Sequence, residues 1–220
     1  VEGGRGAEGG KMRGIILRTQ LVREEDKIVS ILTEKELVTL YRFYGARHPH
    51  IAVGGFIDFT IELSPKFRLG RLRNVVEIPT PQLWKVENYQ PWERFCGQLY
   101  RHLSGVTLLP PFYYRLMEKG VERMGVERAE RVLINLYWQI SQFEGRLPST
   151  PICPICHSPC TPTLSKLGVG EGLTLYHPKC APLLPRFDSF KLLDLVETGK
   201  TLLFSDREVV QLFETILRYF

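Results

Sequence analysis

The sequence predicts an α+β chain, a small β-barrel followed by a helical body with an inserted metal-binding module, and three observations carry that expectation. Short runs of branched and aromatic residues fill the stretch from Met12 to about Pro79. After Pro79-Thr80-Pro81 the apolar residues recur at helical spacing instead. Further on, Cys153-Pro154-Ile155-Cys156 is answered by His177-Pro178-Lys179-Cys180, two pairs of soft ligands facing each other across a loop.

The strands come first. Gly14–Thr19, Lys27–Thr33 and Leu37–Tyr44 read as three, with two more near Phe56–Leu63 and Val75–Ile78. Five short strands in so few residues cannot cover both faces of a flat sheet, so they close on themselves. That strand count and size are those of an OB-fold, expected over residues 12–80. Residues 1–11 are Gly-rich and low in complexity, and are expected to be a tag or an unstructured lead-in before Met12.

The helices follow. Trp92, Phe95, Cys96, Leu99 and Leu103 mark the first, Phe112–Met124 the second, and Glu127–Phe143 the third, with Val132, Leu133, Leu136, Tyr137, Ile140 and Phe143 in its buried stripe. Beyond the ligand pairs, Ser189–Glu197 and Asp206–Phe220 read as two more, the last capped by Ser205 or Asp206. Residues 81–150 and 183–220 are therefore expected to form one helical bundle, interrupted at 151–182 by a zinc-ribbon-like module.

A two-residue gap lets both members of a ligand pair turn inward from one tight knuckle, and Zn²⁺ takes four tetrahedral nitrogen or sulfur ligands. Cys153, Cys156, His177 and Cys180 supply four and leave no open position for a reactive water. The expected zinc is thus structural. Cys160 lies four residues past Cys156 and is the alternative ligand to His177. Cys96 stands alone on an apolar helix face, as an ordinary core thiol does.

Composition bounds the partners only loosely. The 220 residues are 44% hydrophobic and 24% charged, as in a globular protein, with formal charge +5. The basic surplus lies ahead of the ligand pairs: residues 12–80 hold 11 cations against 8 acids, residues 151–220 seven of each. Such a surplus favours a polyanionic partner. No apolar run approaches the roughly 20 residues of a bilayer span, so a soluble, cytoplasmic protein with no membrane partner is expected.

Lys66-Phe67-Arg68-Leu69-Gly70-Arg71-Leu72-Arg73 places four cations in eight positions. In a strand or hairpin the apolar residues fall on one face and the cations on the other, a stripe that holds single-stranded nucleic acid because phosphates demand cations and released counterions drive binding. A solvated strand face gives the same alternation. Arg42, Phe43, Tyr44, Arg47 and His48 mix rings with cations around Gly45, as a base-stacking platform would, although Tyr41 and Phe43 are expected to be core. Arg18, Arg23 and Lys27 are diluted by Glu24, Glu25 and Asp26 between them. On the helices, Arg115, Arg123, Arg128 and Arg131 alternate with glutamates, which predicts either local ion pairs or a basic-rimmed groove for an acidic peptide. No phosphate loop, nucleophile elbow or His–nucleophile pair is found, and no enzymatic activity is expected.

The stretch Gly14-Ile15-Ile16-Leu17-Arg18, Arg23-Glu24-Glu25-Asp26-Lys27 through Thr33, and Tyr44-Gly45-Ala46-Arg47 resembles the N-terminus of bacterial RecO, a recombination mediator of DNA repair. A helical body with a zinc ribbon is similar to RecO as well. The resemblance implies an OB-fold that binds single- and double-stranded DNA, strand annealing without ATP, partnership with RecR and with the acidic tail of single-stranded DNA-binding protein, and a role in loading RecA. It also implies a bacterial cytoplasmic, nucleoid-associated protein. Two departures stand out: His177 takes a position where zinc-bearing relatives carry cysteine, and Glu36-Leu37 replaces a Gly-Lys after the second strand.

The sequence thus points to a DNA-binding mediator whose barrel holds phosphates through Arg42, Arg47, Lys66, Arg68, Arg71 and Arg73. The alternative is a zinc-stabilised protein-interaction adaptor without DNA binding of its own.

Overall fold

The computed structural model describes residues 10–44, 47, 51–65, 68–106 and 108–220. Residues 1–9 of the expected lead-in, and Gly45, His48, His50, Lys66 and Phe67, lie outside the described residues. The chain divides into two compact units, residues 1–122 and 123–220.

The first unit opens with five strands, β1 Met12–Leu21, β2 Lys27–Leu32, β3 Leu37–Arg42, β4 Phe56–Glu62 and β5 Arg71–Ile78. They close in the order β1-β2-β3-β5-β4, with β4 returning to β1 and β3 meeting β5 in parallel. This is the OB-fold barrel that the sequence predicts. Alternation drives closure: Ile16, Val29, Ile31, Leu40, Ile57, Phe59 and Leu72 point inward and, with Ile51 from the β3–β4 connection, form the core. Each such side chain contributes roughly 1.5–3 kcal/mol by leaving water. Lys11 and Arg13 pair with Asp58 at 2.9 and 3.0 Å, so Lys11, assigned by sequence to the lead-in, already belongs to the barrel.

β1 is buried on both faces, with Ile15, Ile16 and Leu17 all fully inaccessible. Its register shifts between Ile16 and Arg18, and helix α1 (Val86–Leu103) packs against it. Trp92 fixes that docking by donating Nε1–H to the Gly54 carbonyl at 3.0 Å while its ring stacks on Phe56. Cys96 is fully buried on the same helix, and burial raises its thiol pKa well above the ordinary value. Helix α2 (Phe112–Arg123) completes the unit up to residue 122.

The second unit holds α3 Ala129–Phe143, strands β6 Lys166–Val169, β7 Leu175–Tyr176 and β8 Arg186–Asp188, and helices α4 Ser189–Thr198 and α5 Asp206–Arg218. The strands form a small antiparallel sheet, β7-β6-β8. α3 packs on α5. Tyr137 of α3 ties distant segments together, donating to the Tyr219 carbonyl at 3.1 Å and accepting from the Gly172 N–H at 2.8 Å. α5 starts at a full capping box, in which the Ser205 side chain accepts from Glu208 N–H and the Glu208 carboxylate accepts from Ser205 N–H.

Candidate nucleic-acid face and metal centre

On the barrel, Tyr41 of β3 lies opposite Arg71 of β5, and Tyr41 N–H donates to the Gly70 carbonyl at 2.9 Å. Because Leu40 and Leu72 point into the core, Tyr41, Arg71 and Arg73 fall on the outer face. The alternation expected of the basic stripe is present there, but its two strand arginines share one acid. Glu62 accepts from Arg73 Nε at 2.6 Å and lies 3.6 Å from Arg71 Nη1. Those partners, the Arg73 hydrogen bond foremost, hold the Glu62 carboxyl below the usual carboxylate range.

Arg68 is exposed in the β4–β5 connection. Arg42 is placed differently, since its strand position shares the inward parity of Val38 and Leu40. Its guanidinium donates to the Leu72 carbonyl at 3.0 Å, and burial, aided by the charge of Arg73, lowers its pKa. Arg47 pairs with Glu25 at 2.6 Å and lies over the Tyr44 ring at 5.2 Å. Lys66 is outside the described residues. The structure therefore brings Arg68, Arg71 and Arg73 together around β5 and its loop, and sets Arg42 apart from them.

Tyr41 and Phe43, expected in the core, are only half-buried and contact each other edge to face at 4.9 Å. With Arg23, Arg68, Leu69 and Arg71 they line a cleft of about 260 Å³. Asp26 supports it from below. Its carboxylate accepts from the Tyr41 hydroxyl at 2.6 Å and from the Tyr44 N–H at 2.9 Å, which lowers its pKa and raises that of Tyr41. Arg23, whose chain neighbours predict cancellation, keeps an electrostatic interaction with Asp26, while Glu25 turns to Arg47. Arg18 and Lys27 are drawn elsewhere, to the Tyr100 hydroxyl at 3.0 Å and the Ile51 carbonyl at 3.2 Å.

The helical arginines have internal partners. Arg115 pairs with Glu34, Arg123 with Glu127 and Arg128 with Glu130, while Arg131 reaches Asp206 and the carbonyls of Thr201 and Phe204. Arg123 and Arg128 make the local ion pairs that mixed charge predicts, whereas Arg115 and Arg131 pair with acids far along the chain.

In the second unit two knuckles converge. His157 N–H donates to the Cys153 carbonyl at 2.9 Å, with His157 in the left-handed region, and Cys180 N–H donates to the His177 carbonyl at 3.0 Å. The ligand atoms of Cys153, Cys156, His177 and Cys180 all lie within 4.8 Å of one another. A tetrahedron with Zn–S bonds of about 2.3 Å has edges of about 3.8 Å, so the cluster could hold a metal ion and suits zinc. His177 presents Nδ1 to Cys156 Sγ at 3.1 Å and sets Nε2 at 3.1 Å from the Pro159 carbonyl, the outer contact that orients a ligating imidazole.

Backbone N–H groups favour charge at two of the sulfurs. Cys153 is disfavoured as a thiolate by burial, yet N–H groups of His177, Cys156 and Ile155 bring its pKa below the ordinary value; Cys156 is lowered chiefly by Ser158 N–H. Cys180 is pushed up to about 11 by burial and by those two neighbours. Three adjacent thiolates repel, so charging all of them calls for a cation in their midst. Cys160 is buried outside the cluster, with its thiol pushed up to about 11 by burial. The geometry thus selects His177 over Cys160.

Barrel and knuckles together define an OB-fold protein with an arginine and aromatic outer face and a Cys₃His centre. Residues 12–83 match the family model described as RecO N terminal, a segment that spans the whole barrel. Over that segment the chain is similar to the RecO N-terminal domain. No curated protein matches the chain. Among the described residues, no helix is long and apolar enough to cross a membrane.

Proposed function

We propose that the chain is a DNA-binding mediator of recombinational repair that anneals complementary single strands and assists recombinase loading onto strands coated by single-stranded DNA-binding protein. The observation that carries this is the coincidence of the RecO N terminal match with a closed barrel whose outer face sets Arg68 and Arg71 beside two half-buried rings, with Arg73 two residues further along β5. Annealing requires no covalent step. Two strands repel as polyanions, and cations that neutralise phosphates while base edges stay accessible lower the barrier to pairing. The protein acts as a scaffold, not an enzyme, and works in the bacterial cytoplasm at the nucleoid. RecR and the acidic tail of single-stranded DNA-binding protein are its protein partners, and both single- and double-stranded DNA are its ligands.

Zinc in the Cys153, Cys156, His177 and Cys180 centre is structural in this scheme. Four protein ligands close its coordination sphere, so it pins the two knuckles together and takes no part in DNA chemistry. Fluorescence anisotropy with a labelled single strand tests the function. Replacing Arg68, Arg71 and Arg73 by Ala should weaken binding and flatten its salt dependence by up to ~0.7 in slope for each phosphate no longer neutralised. Unchanged affinity and slope would remove this face from the DNA site.

A further inference from the structure

The cleft beside β3 has a shape and a lining that a phosphate stripe alone does not require. It is formed by three separate segments: the β1–β2 loop gives Arg23, β3 and its end give Tyr41 and Phe43, and the β4–β5 connection with the start of β5 gives Arg68, Leu69 and Arg71. Two rings and a leucine supply apolar walls, and among the described residues of the lining the charged groups are all guanidinium. Arg71 stands over the Phe43 ring at 5.1 Å, a cation–π pair that presents a flat, positively charged surface.

The walls are held in place independently of any ligand. Asp26 fixes the Tyr41 hydroxyl and the Tyr44 N–H, with Tyr44 in the left-handed region at φ 51°. Gly70 lets the backbone just before β5 approach the barrel closely. A Cβ there would stand 2.9 Å from the Ile61 side chain and 3.2 Å from Leu40, lifting Leu69 and Arg68 away. Both devices preorganise a concave surface, which lowers the ordering cost of filling it.

We propose that this cleft takes one unpaired nucleobase of a single strand, stacked against the Phe43–Arg71 pair, with Arg23 and Arg68 at the rim on the flanking phosphates. This rests on the DNA-binding function above and adds a discrimination to it. A base in a duplex is committed to its partner and cannot enter, whereas an unpaired base has a free π-face, and stacking tolerates any sequence. Duplex DNA is then held by the outer arginines alone. The cleft makes the protein prefer strands that still await a complement, and hybridisation itself loosens the grip as the captured base is withdrawn into the new helix.

The test uses the full chain and a short oligothymidylate with 2-aminopurine at one central position, whose emission falls on stacking. Binding should quench it, and Phe43→Leu should abolish the quench and weaken single-strand affinity by roughly 5- to 140-fold, the decrease expected from removing one base–aromatic stack. Affinity for a duplex of equal length should be unchanged. Arg23→Gln, on an exposed loop, should weaken single-strand binding with the quench at saturation retained. DNA binding by the unaltered protein without quenching overturns the proposal whatever the variants do, and so does an equal drop in single-strand and duplex affinity in Phe43→Leu. Failure of the unaltered protein to bind any DNA at low salt is distinguishable from both, and removes the DNA-binding function along with the cleft.

Discussion

Glu62 restrains the face that binding would use. It occupies Arg73 and stands beside Arg71, so a phosphate must displace a carboxylate to reach either guanidinium. Glu62→Gln should therefore tighten single-strand binding several-fold and steepen its salt dependence, as measured by anisotropy across a salt series; weaker binding would assign the acid a supporting role instead. The arginines are legible from their spacing, but Glu62 is not, because only the pairing Glu62↔Arg71 brings it among them. Arg23 is missed for the same reason. Chain neighbours suggest cancellation, yet Glu25 turns to Arg47, and Asp26 hydrogen-bonds to Tyr41 and Tyr44 while keeping its electrostatic interaction with Arg23. Ser205 reads as a cap and is one, and Ser205→Ala should cost roughly 1 kcal/mol in denaturant unfolding. Its box partner Glu208 has its pKa held at about 2, first by the Lys191 hydrogen bond and then by Ser205 N–H. A carboxyl depressed on folding stabilises the fold above its unfolded pKa near ~4.3 and ceases to do so as pH falls through about 2. Glu208→Gln should thus remove an acid-dependent part of stability within that window, visible as a smaller stability difference between about pH 6 and about pH 2.5.

The turn before β4 depends on one glycine. Gly54 has φ 85°, and a Cβ there would meet the Trp92 ring at 2.5 Å. Gly54→Ala should cost at least about 1–3 kcal/mol by thermal or denaturant unfolding, from left-handed strain in addition to the displaced ring. In the second unit the two knuckles define the testable element. Cys153→Ser should abolish stoichiometric zinc in mass spectrometry of the purified chain, while Cys160→Ser should leave it intact; the reverse pattern would give the fourth position to Cys160. The barrel strands and the helices α1 to α5 are recognisable from periodicity, with ends displaced by a few residues. β5 extends further than Val75–Ile78, taking in Arg71–Asn74 from the segment whose alternating cations already suit a strand or hairpin. The sheet β7-β6-β8 has no such signal. Its strands are four, two and three residues long, too short for an alternating pattern to emerge.

At the scale of the whole molecule, chemistry is divided between two compact units. The first carries the proposed DNA face on its barrel, and the second carries the Cys₃His centre on a small sheet beside α3, α4 and α5. The ligand pairs are legible from their spacing, which leaves Cys160 as an alternative to His177 until the four clustered ligand atoms are seen. The cleft is not legible in this way, because it joins segments that lie far apart along the chain. If barrel cations relieve the repulsion between complementary strands, the rate of strand annealing reports it. With two complementary fluorescently labelled oligonucleotides in dilute buffer and no nucleotide, the protein should accelerate duplex formation, and the acceleration should fall steeply as salt rises. A rate equal to that of the bare strands, or an acceleration indifferent to salt, would contradict that relief.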